Sequence, residues 1–134
     1  MIYFNNVSKI YSGDTEPSLH EVNLTFNQGE FVSIVGHSGA GKTTLIKLIL
    51  AEESPTGGNV FFESLDVHTL RPHEVTKFRR RIGTVFQDFR LLSNKTAYEN
   101  IAFAMEAAGK TDEEIASDVP HVLELVNLSA KMHH

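Results

Sequence analysis

The residues Gly36-His37-Ser38-Gly39-Ala40-Gly41-Lys42-Thr43 fit the spacing G-x-x-x-x-G-K-S/T, and each part of that spacing has a chemical use. Glycines let the backbone curl so that successive N–H groups converge on one anion. A helix that starts behind such a loop adds a favourable potential for negative charge. Lys42 brings a point charge to the β- and γ-phosphates of a nucleotide, and the Thr43 hydroxyl is placed to ligate Mg²⁺. The candidate phosphate-binding set is Gly36, Ser38, Gly39, Ala40, Gly41, Lys42, Thr43 and Thr44. Lys42 is also the candidate catalytic charge, and Thr43 the candidate metal ligand. By composition alone the string would arise on the order of once in two hundred chains of this length. The competing reading is a glycine-rich turn that merely joins a strand to a helix. Placement between a strand and a helix therefore carries much of the assignment.

The flanking segments have that character. Phe31-Val32-Ser33-Ile34-Val35 is nearly continuous apolar sequence, the pattern of a strand buried on both faces. A helix is predicted from about Lys42 to Ala51, with Leu45, Leu48 and Ile49 on one face and Ile46 and Leu50 widening it. Before the loop, Ile2 and Phe4, then Val22, Leu24 and Phe26, alternate with polar residues as half-buried antiparallel strands do. After it, Val60–Phe62 and Ile82–Phe86 read as strands and Pro72 opens a helix. Two amphipathic helices follow. The first carries Ala97, Ile101, Ala104, Met105 and Ala108 and stops at Gly109. The second opens with the capping-box pattern Thr111-Asp112-Glu113-Glu114 and carries Ile115, Val119, Val122 and Val126. Pro120 inside that stripe predicts a kink or two abutting helices.

Composition narrows the function. The chain has 134 residues, 41% hydrophobic and 22% charged, and no cysteine. That is an ordinary globular balance without a disulfide framework. A net charge of −5 argues against a nucleic-acid binder. No apolar run approaches the roughly 18–20 residues needed to span a bilayer, so a membrane role would pass through a partner. The basic run Lys77-Phe78-Arg79-Arg80-Arg81 reads as the positive end of a helix rather than a lipid or nucleic-acid patch.

Val7-Ser8-Lys9-Ile10-Tyr11 before the loop, Val85-Phe86-Gln87-Asp88 after it, and Thr96-Ala97-Tyr98-Glu99-Asn100-Ile101 beyond that resemble the ATP-binding cassette (ABC) family over the whole chain. The resemblance implies an α/β P-loop NTPase fold: an antiparallel β subdomain, part of a RecA-like core and the start of a helical subdomain. It implies ATP and Mg²⁺ as ligands, Tyr11 stacking on adenine, and Gln87 as the Q-loop residue that contacts the Mg²⁺ site and serves catalysis. Val85–Leu92 is most similar to the FtsE-like cell-division branch. That implies an FtsX-like membrane permease as partner, a homodimer, and a cytoplasmic protein held peripherally on the inner face of the plasma membrane. Phe89, Leu91 and Leu92 would then help to receive a short helix of the permease, or else pack beneath the helix 97–108. Lipoprotein-release and amino-acid-import ATPases are similar enough to be alternatives. Glu63-Ser64-Leu65-Asp66 has Ser where the family often has Gly, which leaves that turn open.

The family also needs a Walker B strand ending in Asp-Glu, an LSGGQ-like signature and a switch histidine, and none is present in the sequence. Residues 1–134 therefore read as the N-terminal portion of one ATP-binding domain. With neighbouring core strands missing, Phe31–Val35 would have unpaired edges and exposed apolar surface. Whether the chain hydrolyses ATP or only binds nucleotide is left open by the residues themselves. A GTPase or small-molecule kinase is disfavoured, because Asn94-Lys95-Thr96-Ala97 lacks the Asp of a guanine-reading N-K-x-D.

Overall fold

The computed structural model describes residues 1–134, in two compact units, Met1–Gly83 and Thr84–His134. The first unit is built on an antiparallel sheet of order β2-β1-β3-β4, formed by β1 (Ile2–Lys9), β2 (Leu19–Phe26), β3 (Gly57–Phe62) and β4 (Leu65–Asp66). Helices α1 (Lys42–Ile49) and α2 (Pro72–Arg79) accompany it. Phe4, Val7, Leu19, Leu45, Leu48, Val60, Val67 and Phe78 form one buried core from strands and helices together.

A bulge between Phe4 and Val7 resets the alternation of β1. Asn6 takes φ 51° there, and its N–H donates to Asn23 Oδ1 at 2.9 Å. The extra residue turns Val7 and Lys9 inward in phase with each other, where Ile2 and Phe4 alone would set the opposite parity. Lys9 is thereby carried into the interior.

Helix α1 ends as its sequence allows. The Glu52 N–H donates to Lys47 O at 2.9 Å and the Ala51 N–H to Leu48 O at 3.1 Å, with Ala51 at φ 52°. This is a Schellman closure made without glycine. Arg79 reinforces it, with Nε donating to Leu50 O at 2.8 Å and Nη2 to Ala51 O at 2.9 Å. A cation there also suits the negative end of the helix dipole. Arg81 bonds Glu63 at 3.1 Å and lies over Phe62. Within the basic run, Arg79 and Arg81 are thus used inside the first unit.

The second unit is a helical pair, α3 (Ala97–Ala107) and α4 (Asp112–Leu125), around Ala102, Ile115, Val119 and Leu123. Both helices open with reciprocal capping boxes, Thr96 with Glu99 and Thr111 with Glu114. Gly109, at φ 85°, closes α3 through Lys110 N–H to Met105 O and Gly109 N–H to Glu106 O.

Several sequence expectations are corrected. Phe31–Val35 and Ile82–Phe86 form no strand. The apolar exposure expected of Phe31–Val35 is found, with Phe31 and Val35 94% and 86% exposed, and Val85 is 94% exposed as well. A continuously apolar strand is stable only when it is paired and both its faces are covered, and these segments find no pairing partner among residues 1–134. Ile46 is exposed, so the buried face of α1 is Thr44, Leu45, Leu48 and Ile49, with Leu50 just beyond. On α4 the buried stripe runs Ile115, Val119, Leu123 in steps of four, leaving Val122 and Val126 exposed. On α3 Ala102 is buried, while Ala104 and Ala108 face solvent. Helix α4 continues as one helix through Pro120.

Candidate functional site

The loop residues 36–40 are exposed, and Gly41 is buried as the residue before α1. Gly41 has φ 81°, a left-handed conformation natural to glycine. A Cβ there would stand 2.4 Å from Ser18 O and 2.9 Å from Leu19 Cδ2. Glycine is required by conformation and by the strand behind it. Gly39 also has positive φ, 82°, but open space lies where its Cβ would be.

Helix α1 starts at Gly41 with no side-chain cap and no acidic residue in its first turn. Its leading N–H groups are left for an external acceptor. Lys42 Nζ donates to the carbonyls of Gly36 and His37, each at 2.7 Å, which folds the ammonium over the loop. Thr43 is exposed, and Thr44 is buried beside it. An uncapped helix start, an ammonium drawn across the loop and an exposed hydroxyl at the second helical position fit a polyphosphate with Mg²⁺.

Tyr11 lies at the same helix end. Its hydroxyl is 3.3 Å from Thr44 Oγ1, and Lys9 Nζ sits 4.9 Å from its ring centroid. The structure thus brings Tyr11 together with the loop. Gln87 lies in the second unit, exposed in a turn over 87–90. Phe89 and Arg90 in that turn have φ 55° and 49°.

Leu91 and Leu92 line an apolar cavity of the second unit with Ala97, Ile101, Leu123 and Leu128. Asn100 secures its rim. Its Oδ1 accepts from Leu92 N–H at 2.8 Å, and its Nδ2 donates to Thr96 O at 2.9 Å. Sequence reasoning overlooked Asn100 and Lys9. Asn in a helix following a loop signals a latch only weakly, and the burial of Lys9 depends on the β1 bulge.

The ABC transporter family model matches residues 19–134. The chain belongs to the ABC transporter family. It is 47% identical over 131 residues to the cell division ATP-binding protein FtsE of Mycobacterium tuberculosis (strain ATCC 25618 / H37Rv), covering 98% of this chain and 57% of that protein. It is 42% identical over 133 residues to the methionine import ATP-binding protein MetN of Helicobacter pylori (strain HPAG1), covering 99% of this chain and 40% of that one. A solved dimeric post-hydrolysis state of the ATP-binding cassette MJ0796 bound to ADP and Pi superposes with TM-score 0.87 at 35% identity, covering all of this chain and 61% of that chain. The α/β P-loop cassette fold implied by the sequence is thereby shown. No helix is long and apolar enough to cross a membrane.

Proposed function

We propose that residues 1–134 are the N-terminal portion of one ATP-binding domain, and that this ABC subunit binds ATP with Mg²⁺ through the loop 36–44. The observation that carries the reading is the Lys42 ammonium held over an exposed loop at the mouth of an uncapped helix. Bound ATP–Mg²⁺ would supply the phosphoryl group and a divalent charge. The chain's own part is to bind and orient. The first N–H groups of α1 would meet the phosphates, Lys42 would offset the charge on the terminal phosphates, Thr43 would hold the metal, and Tyr11 would stack on the base.

The similarity to FtsE proteins favours a cell-division role with an FtsX-like permease. It supports a homodimer held peripherally on the cytoplasmic face of the membrane. The similarity to MetN proteins supports a second reading, an import ATPase. ATPase assays of the full-length protein, reconstituted separately with an FtsX-like permease and with a methionine-import permease, separate the two. The expected result is association and stimulated turnover with the FtsX-like subunit alone. Stimulation by the import permease alone would overturn the cell-division assignment.

A further inference from the structure

Two polar side chains are buried in the first unit, Lys9 and Thr44, and both touch Tyr11. An ammonium taken out of water is costly unless it is paired and hydrogen-bonded. Lys9 meets that demand on the segment that follows α1, donating to Glu53 Oε2 at 3.0 Å and to Ser54 O at 2.7 Å. So anchored, it lies against the face of the Tyr11 ring, an attractive cation–π placement. The Tyr11 hydroxyl meanwhile meets Thr44, in the first turn of the helix that carries Lys42 and Thr43.

We propose that Lys9 is a positioning residue for Tyr11. Its tethered ammonium fixes the plane of the ring, so that a purine base meets a preset stacking surface joined to the phosphate loop through Thr44. This rests on Tyr11 being the base-stacking residue. Held only at its hydroxyl by Thr44, a phenol ring two residues beyond β1 would otherwise tilt about that contact, and stacking would lose affinity to the ordering of that side chain.

The test compares the affinities of the full chain for ATP and for inorganic triphosphate, which lacks a base. Tyr11→Ala should lower the ATP-to-triphosphate affinity ratio about fivefold or more. Lys9→Met should lower the same ratio about two- to fivefold with triphosphate affinity unchanged, and Lys9→Arg should restore it. If Lys9→Met keeps the wild-type ratio while Tyr11→Ala lowers it, the positioning role is wrong and stacking stands. If Tyr11→Ala weakens both ligands equally, stacking itself falls, and the role of Lys9 with it. Should Lys9→Met fail to fold by circular dichroism, Glu53→Gln decides. It loosens the ammonium and leaves Lys9 and Tyr11 in place, so a lowered ratio supports the proposal and an unchanged ratio overturns it.

Discussion

Glycine at positions 39 and 41 serves two different demands. Both residues have positive φ, yet only Gly41 is crowded by the Ser18 carbonyl and Leu19. Alanine at either position meets the left-handed penalty of about 1–2 kcal/mol. At Gly41 the chain must also move away from Ser18. Gly41→Ala is therefore expected to lose about 2–4 kcal/mol, summing that strain with backbone displacement. Gly39→Ala should lose only about 1–2 kcal/mol. Urea unfolding without nucleotide measures both, and equal losses would show that contact with Ser18 contributes nothing. The loop pattern was legible in the sequence because phosphate binding restricts residue types at fixed spacing. The contact of Gly41 with the chain before β2 was not, because it depends on how distant segments meet.

At the scale of elements, the helix ends followed local rules and were the most legible features. Thr111 with Glu114 caps α4, and Pro72 opens α2. Thr111→Ala should cost about 1 kcal/mol, read as faster hydrogen exchange of the first-turn amides of α4. The box also has a pH signature. The bond from Lys110, then that from the Thr111 backbone, holds the Glu114 carboxyl below the usual carboxylate range. Because the folded pKa is lowered, the stabilisation is complete above the unfolded value near 4.3. It is lost as pH falls from there through the folded value. Protection of those amides should drop across that acidic window in the wild type and stay nearly flat in Glu114→Gln. Which face of each helix is buried was less legible. On α4 both Val122 and Leu123 fit an apolar stripe, and the packing against α3 selects Leu123.

For the whole molecule, the resemblance carried by Val7–Tyr11, Val85–Asp88 and Thr96–Ile101 implied an ABC cassette, and the family match and superposition agree. The least legible parts were Phe31–Val35 and Ile82–Phe86. Their sequences are those of buried strands, but a strand exists only with its neighbours, and the four-stranded sheet here does not include them. The chain spans 57% of the length of the FtsE proteins from M. tuberculosis and Bacillus subtilis (strain 168). The residues proposed here to bind nucleotide, the loop, the start of α1 and Tyr11, lie by contrast within one unit. Titration calorimetry of ATP with Mg²⁺ into the wild-type chain and into Lys42→Ala is the decisive measurement. Saturable 1:1 binding is expected, weakened by about 1.5–3 kcal/mol in the variant, or roughly 10- to 150-fold. Unchanged affinity in a folded Lys42→Ala variant would contradict the assignment of this loop as the phosphate site.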